Sequence, residues 1–251
     1  MNPYSSEGCP PRGPLRVKIG IIVNARYREE EIEARRRYFE SKVSSGTQIE
    51  LLFPDAAPLP TETPPTSEEL TALAVDIVRK AKEAEARRFD AAVVYITYDV
   101  GVDAAMSMVR IPVIGSGRVA HHTASLLGNK ICVIAPYDSL IPLSYRAAQT
   151  FGFDHMITPI RALNIPVGRM REQKEKARAR VIELAKQGIH EGAQVIFPQG
   201  LNSVSIHLPL KEVEVEIGCP IIDAVPLALR FAETFVSLGL THSRLAYPLP
   251  S

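Results

Sequence analysis

The sequence predicts an α/β protein made of two similar halves, each a parallel sheet flanked by helices. Residues 90–115 read as an apolar strand, a polar loop, a short amphipathic helix and a second strand, and residues 192–223 repeat that order. Strands that alternate with helices favour parallel sheets covered on both faces. Open parallel sheets bind ligands beyond the carboxyl ends of their strands, so we expect one site between the two polar loops.

The first half contains β-branched apolar runs that alternate with amphipathic runs. Its strands are expected at residues 17–23, 48–53, 90–96 and 111–115, and its helices at residues 29–42, 66–88 and 103–109. Residues 29–42 are rich in Glu, Arg and Ala, which predicts a surface helix. Residues 54–65 hold five prolines and form a loop. Thr66 with acidic residues after it is typical of a helix N-cap.

The second half repeats the pattern of the first, and this internal repetition indicates a tandem duplication of one α/β unit. Its strands are expected at residues 129–135, 156–161, 192–197 and 219–223, and its helices at residues 117–127, 142–151, 168–187 and 225–238. The last helix is expected to cross back onto the first half. We therefore divide the chain into a disordered leader (1–15), a first half (16–115 with 225–251) and a second half (116–224).

The composition excludes several classes of protein. The 251 residues carry a net charge of +1, with basic residues mixed among Glu on predicted helices, which argues against a nucleic-acid footprint. No apolar run approaches the ~20 residues that span a bilayer, and the leader lacks the apolar core of a signal peptide. Cys132 and Cys219 lie in strands, where cysteine acts as a small buried hydrophobe. A reduced, cytoplasmic setting fits best, and a homo-oligomer is compatible with the sequence.

Polar residues follow four of the expected strands. When the two halves are aligned, Thr97 lies opposite Gln199. The four loops offer hydroxyl, amide and backbone N–H groups beside helix starts, and such groups suit a carboxylate or enolate oxygen. Each residue alone is better explained as a helix cap, but the four loops together favour a site. The catalytic groups expected there are Thr97, Tyr98, Asp99 and Gln199. The expected substrate-binding residues are Asn24, Arg26, Arg118, Tyr137, Ser139, Gly200, Asn202 and Ser203.

Other candidate groups carry weaker signals. His121 and His122 are adjacent in an expected helix, so at most one of them faces the cleft. No pair of histidines has metal-ligand spacing, and no metal is expected. Asp99 and Asp223 each follow a strand, where both a general base and a helix cap fit. Arg118 ends a glycine-containing turn that lacks the full phosphate-binding fingerprint, but its guanidinium suits a substrate carboxylate.

Four motifs carry a family resemblance: DAAVVYITYDVGVDAA at 90–105, IPVIG at 111–115, ASLLG at 124–128 and GCPIID at 218–223. Together they resemble the aspartate/glutamate/hydantoin racemase superfamily, and the similarity runs from about residue 17 to about residue 241. The resemblance implies two pseudo-symmetric flavodoxin-like halves and a small carboxylate or cyclic amide substrate between them. It implies no cofactor.

The sequence departs from this family at its catalytic positions. Racemases of the family use two cysteines, one thiolate removing the α-proton and the other thiol protonating the opposite face. Here the first cysteine's place falls on Ile96 or Thr97 and the second on Gln199 or Gly200, so the two-thiol mechanism does not carry over. The similar arylmalonate decarboxylases keep one thiol and hold a carboxylate among hydroxyl and backbone donors. Tyr137 stands where that subfamily has a tyrosine.

Three functions stay open on the sequence alone. The first is an enzyme that forms or breaks a bond next to a carbonyl without thiols, by decarboxylation, elimination or ring opening. The enolate would be stabilised by Thr97 and Tyr137, and the proton would pass through Tyr98, Asp99, a histidine or water. Tyr98 would need a lowered pKa for this task. The second is a racemase with a non-thiol acid–base pair, and the third is an inactive homologue that binds a small acid.

Overall fold

Two parallel sheets form the scaffold of the protein. The computed structural model describes residues 16–250, so the predicted leader lies outside the described residues. The strands are β1 (Lys18–Ile22), β2 (Gln48–Leu52), β3 (Ala91–Val94), β4 (Val113–Gly115), β5 (Ile131–Ala135), β6 (Arg161–Ala162) and β7 (Val195–Pro198). The helices are α1 (Glu29–Glu40), α2 (Ser67–Ala86), α3 (Val102–Met106), α4 (Ser116–Leu127), α5 (Ile141–Phe151), α6 (Lys174–His190), α7 (Asn202–His207), α8 (Leu210–Ile217) and α9 (Ala224–Ser237).

The two sheets share one strand order. The first is β2-β1-β3-β4 and the second is β6-β5-β7, with every pair parallel. An isolated parallel bridge between Ile196 and Ile221 places the segment before α9 beside β7. This segment is the counterpart of β4, which lies beside β3 in the first sheet. This arrangement confirms the α/β class with parallel sheets and the repeat read from the sequence. All strand-end loops of one sheet therefore emerge at the same edge.

Local sequence explains where most elements begin. Thr66 accepts a hydrogen bond from the backbone N–H of Glu69, and the Glu69 carboxylate accepts one from the Thr66 N–H, so the predicted N-cap is a capping box. Three glutamates fill the first turn of α1, where they complement the helix dipole. The cysteines predicted to be buried, Cys132 and Cys219, are 0% and 6% exposed.

Four predicted elements differ from the structure, all in the second half. The single short helix expected within residues 192–223 is two helices, α7 and α8. The helix expected from residue 168 begins at Lys174, because the backbone N–H of Gly168 donates to the Thr61 carbonyl at 2.8 Å and residues 167–169 form a 3₁₀ turn. The strand expected at 156–161 shrinks to β6, since residues 154–156 form another 3₁₀ turn. The strand expected at 219–223 is reduced to the isolated bridge at Ile221.

The helix α9 contacts both sheets. Its residues Val225 and Leu229 pack with Ile19 and Val93 of the first sheet. Its first turn, at Ala224, packs with Phe197 of the second sheet. The helix α9 therefore contributes to the core of the first half and also packs on the core of the second. No helix in the described part of the chain is long and apolar enough to cross a membrane.

Candidate functional site

The loops after β3 and β7 contact each other. The backbone N–H of Gly200 donates to the Thr97 hydroxyl at 2.6 Å, and the Gln199 amide donates to the Thr97 carbonyl at 3.2 Å. Both side chains are fully buried. A third loop closes against them, because a Cβ added to Gly200 (φ +71°) would lie 2.8 Å from Cγ of Pro136. The two repeats thus contact each other directly at the positions that the sequence set opposite.

Several polar groups in these loops keep unused hydrogen-bonding capacity. The Thr97 hydroxyl accepts from Gly200, so its own proton is free to be donated. Among residues 16–250, neither Oε1 of Gln199 nor the hydroxyl of Tyr137 has a hydrogen-bond partner, although both atoms are buried. Burial raises the pKa of Tyr137, so its hydroxyl stays a donor at neutral pH. The loops therefore contain buried donors and an acceptor whose hydrogen-bonding capacity is not fully used.

Asp99 and Tyr98 follow Thr97 but have different surroundings. The Asp99 carboxylate accepts hydrogen bonds from the backbone N–H groups of Gly117 and Arg118, each at 2.8 Å, so it occupies the N-terminus of α4. Burial raises the pKa of Asp99 to about 6, against these two bonds, which lower it. Tyr98 is also buried; it accepts a weak hydrogen bond from the Ser144 hydroxyl at 3.4 Å, and burial raises its pKa. Of the two, only Asp99 titrates near neutrality.

A buried ionic cluster lies beside these loops and joins the halves. Arg35 of α1 is 1% exposed and donates to the Glu31 carboxylate at 2.7 Å and to the Ser203 hydroxyl at 2.8 Å. Its guanidinium lies 3.7 Å from the ring centroid of Tyr27. The His207 ring contacts the same Glu31 oxygen at 3.0 Å. We call this group of residues the Arg35 cluster; Ser203 and His207 come from α7 of the second half.

The sequence prediction missed the Arg35 cluster. Residues 29–42 were expected to form a surface helix, yet Arg35 and Phe39 of α1 are buried. Arg35 stands three residues after Ile32 and four before Phe39, on the apolar face of the helix. That spacing was the available signal that this arginine points inward.

A cavity of ≈ 290 Å³ adjoins the Arg35 cluster. Its wall combines the first-half residues Arg26, Tyr27, Arg28, Glu31, Arg35, Thr61 and Glu62 with Val167, Gly168, Arg169 and Glu172 of the second half. The predicted residue Asn24 lies next to it and accepts a hydrogen bond from the Tyr27 hydroxyl at 3.1 Å. Arg26 is exposed and donates to the Asp55 carbonyl at 2.8 Å. The cavity is therefore polar and bounded by both halves.

The remaining predicted binding residues lie in other surroundings. Asn202 donates to the Tyr95 carbonyl at 2.6 Å, next to the Arg35 cluster. Arg118, in the first turn of α4, forms an ion pair with Asp103 at 2.8 Å. Ser139 is exposed. The binding roles assigned to these residues stay predictions.

The adjacent histidines and the other candidate aspartate have surroundings of their own. His121 is buried against Phe151 and Phe197, and burial lowers its pKa to about 4. His122 is exposed. Asp223 accepts a hydrogen bond from the Tyr38 hydroxyl in the wall of a larger cavity of ≈ 790 Å³, which lies between α1, α4, α8 and α9.

The described cysteines lie within the second half. Cys132 and Cys219 belong to one apolar cluster, and burial raises the pKa of both thiols, that of Cys132 to about 11. Neither thiol is therefore ionised near neutral pH. In residues 16–250, no group of three or more His, Cys, Asp or Glu side chains is placed to hold a metal ion.

Comparisons with known proteins agree on one family. The family model described as Asp/Glu/Hydantoin racemase matches residues 31–232. A hydantoin racemase from Rhizobium meliloti is 27% identical over 198 residues, which is 75% of this chain and 80% of that protein. The structure of an allantoin racemase from Pseudomonas fluorescens has a TM-score of 0.82 at 23% identity, covering 93% of this chain and 97% of that one.

A mutant of arylmalonate decarboxylase shares the fold with lower structural and sequence similarity. Its TM-score is 0.66 at 15% identity, over 92% of this chain and 97% of that one. These structural neighbours confirm the fold of two flavodoxin-like halves that the resemblance implied. Because the family model also spans most of the sequence, the chain belongs to the Asp/Glu/hydantoin racemase family.

Proposed function

We propose that the protein is an enzyme of this family that acts without a thiol on a small carboxylate or cyclic amide, through a stabilised enolate. The observation that carries this proposal is Asp99, a buried carboxyl with a pKa raised to about 6, two residues beyond Thr97. A general base works best when its pKa lies near the operating pH. Of the non-thiol groups predicted from the sequence, Tyr98 and His121 have pKa values displaced away from neutrality.

In this proposal each group has a role that the geometry supports. Gly117 adjoins both the Thr97 carbonyl and the Asp99 carboxylate, because an added Cβ would lie 2.0 Å from the first and 3.1 Å from Oδ1 of the second. Each Asp99 oxygen keeps a second lone pair beside its bond to the helix. In the proposed reaction the α C–H bond breaks and its proton passes to Asp99. The electron pair moves into the adjacent carbonyl, whose oxygen accepts hydrogen bonds from Thr97 and Tyr137.

The same donors would serve a decarboxylation. There the electron pair of the breaking C–C bond moves into the remaining carbonyl as carbon dioxide leaves, and a proton then returns to the α-carbon. The relatives support these substrate classes, since hydantoin and allantoin are cyclic amides and an arylmalonate is a diacid. Gln199, with its free Oε1, would accept a hydrogen bond from an amide N–H of the substrate.

A second candidate function is an inactive homologue that binds a small acid. The observation that favours it is the direct contact between the two facing loops, where Gly200 and Gln199 bond to Thr97. These bonds join the two loops to which the family resemblance assigns the thiols of the racemases. A ligand would then bind in the neighbouring cavity without reaction at Thr97.

The deciding experiment is an NMR incubation of the protein in D₂O with hydantoins, aspartate, glutamate, malonate and maleate. We expect turnover that survives alkylation with iodoacetamide, since Cys132 and Cys219 are buried. Asp99→Asn should lower the rate at least about a hundredfold, because it removes the base. Asp154→Asn, which changes an exposed carboxylate, should leave it unchanged.

The products separate the alternatives. Exchange of the α-proton alone indicates a racemase, and a new compound indicates a lyase or a ring-opening enzyme. Loss of turnover on alkylation, or full activity of Asp99→Asn, would contradict the thiol-free mechanism. Thermal stabilisation by one of the acids without any turnover would favour the binding homologue.

A further inference from the structure

We propose that the ≈ 790 Å³ cavity between α1, α4, α8 and α9 is a second small-molecule site, which binds a zwitterion with an apolar body, as an apolar α-amino acid is. The amino group of the ligand would bind the Asp223 carboxylate, and its carboxylate would bind the Lys42 ammonium group. Both side chains line the cavity, whereas Thr97, Asp99 and Gln199 do not. Binding there is therefore separate from the proposed reaction.

Asp223 supplies a carboxylate that its own helix does not use. It occupies the N-cap position of α9 with an extended backbone, where a carboxylate usually accepts a backbone N–H, yet its side chain makes no such bond. The carboxylate accepts from the Tyr38 hydroxyl instead, and the Ser205 hydroxyl is a second donor to it. Burial still raises the pKa of Asp223, so these neighbours compensate its charge only in part. A ligand cation would complete that compensation.

Lys42 supplies an ammonium group that has no carboxylate partner. It is half-buried just after the end of α1, and its Nζ lies 4.9 Å from the ring centroid of Tyr38. Among residues 16–250 this ammonium group forms neither an ion pair nor a hydrogen bond, although its charge acts on Asp223. Its three N–H donors are therefore available to a carboxylate from a ligand.

The other charged side chains of the wall already have partners. They belong to two ion pairs, Lys211 with Glu214 at 2.8 Å and Arg230 with Glu233 at 2.9 Å. Asp223 and Lys42 thus remain as one group of each sign, on either side of Tyr38. A simple anion would be repelled by Asp223 and a simple cation by Lys42. A ligand that carries both charges matches the pair.

The rest of the wall suits an apolar body. Apolar side chains reach the cavity from α4, α8, α9 and the segments beside α8: Leu127, Leu208, Leu210, Pro220, Ile221 and Leu227. Leu127 is 53% exposed, so the cavity is open to solvent and a ligand can enter without disturbing the core. The volume lies within the ~300–1,000 Å³ typical of small-molecule sites. An apolar body would gain affinity as it leaves water against this wall.

The test measures the binding of leucine, phenylalanine and truncated analogues by isothermal titration on the full chain. For leucine, 4-methylpentanoate lacks the amino group and 3-methylbutylamine lacks the carboxylate, while both keep the apolar body. We expect leucine to bind at least about tenfold more tightly than either analogue, which corresponds to ~1.4 kcal/mol. Alanine keeps both charges on a smaller body and should bind about tenfold more weakly than leucine.

Two variants assign each ligand charge to a residue. Asp223→Asn keeps an acceptor for the Tyr38 hydroxyl but removes the negative charge, so it should weaken leucine about tenfold and leave 4-methylpentanoate no weaker. Lys42→Gln should weaken leucine and 4-methylpentanoate about tenfold, and leave 3-methylbutylamine no weaker. The matched controls Glu40→Gln and Lys82→Gln change exposed side chains outside the cavity and should leave leucine binding unchanged.

Each outcome decides for or against the site. Absence of binding by both leucine and phenylalanine, leucine binding no tighter than its analogues, or full affinity in both cavity variants overturns it. Asp99→Asn should not change leucine binding, and a tenfold loss there would move the ligand to the cleft and overturn the cavity site. If Asp223→Asn does not fold, the analogue series and Lys42→Gln still decide. Turnover in the D₂O incubation tests the proposed function alone.

Discussion

At the scale of single residues, Asp99 has properties that its neighbours impose. It is buried, and it accepts two backbone N–H bonds at the start of α4. Its pKa of about 6 exceeds the ~3.9 of an unfolded aspartate, so the folded protein binds the proton more strongly than the unfolded chain. The protonation of Asp99 therefore stabilises the folded protein fully below about pH 4, and this stabilisation is lost as the pH rises through about 6.

This sign gives a prediction for stability. The amide that Asp99→Asn introduces does not titrate, so the free energy of unfolding of the wild type relative to the variant should fall by roughly 2 kcal/mol between pH 4 and pH 7. Urea denaturation of both proteins at half-unit pH steps measures the difference. Parallel pH profiles for the two proteins would show that Asp99 does not titrate in this range.

Residues differ in how far the sequence predicts their surroundings. The opposition of Thr97 and Gln199 follows from the repeat, and the structure confirms that they meet. The burial of Arg35 depends on Ser203, which lies 168 positions away in the chain. Periodicity places Arg35 on the apolar face of α1, but it cannot show that a hydroxyl and a carboxylate from two helices satisfy the charge. Such partners are a property of tertiary packing.

At the scale of elements, the sequence predicts where a helix begins when that start depends on residues nearby in the chain. The capping box at Thr66 and Glu69 uses residues three apart, and the start of α2 was predicted from them. The start of α6 depends on a distant contact, since Gly168 bonds to Thr61. The same loop makes exposed ion pairs from Arg169 to Glu62 and from Arg171 to Glu30. No local pattern encodes those partners.

The capping box leads to the prediction at this scale. Thr66→Ala removes the acceptor for the Glu69 N–H and should lower the free energy of unfolding by about 1 kcal/mol. Thr71→Ala, an exposed change within the same helix, is the matched control and should cost less. Thermal and urea denaturation measure both. A larger loss in Thr71→Ala would show that α2 does not depend on its cap.

At the scale of the whole molecule, α9 makes the two halves interdependent. Val225 and Leu229 complete the core over the first sheet, while Ala224 and Leu227 pack on the core of the second. The Arg35 cluster adds buried polar bonds between α1 of the first half and α7 of the second. Since neither core is complete without α9, the halves should unfold together rather than one after the other.

The prediction is that Leu229→Ala destabilises both halves at once. Leu229 is fully buried, and its truncation should cost about 2–5 kcal/mol through lost burial and a cavity. Hydrogen exchange of β1 and β5 reports the two sheets separately, and both should lose protection by the same free energy because α9 serves both cores. Leu238→Ala, at a position 66% exposed, should change neither. Loss of protection confined to β1 would mean that the halves are separate folding units joined by a helix.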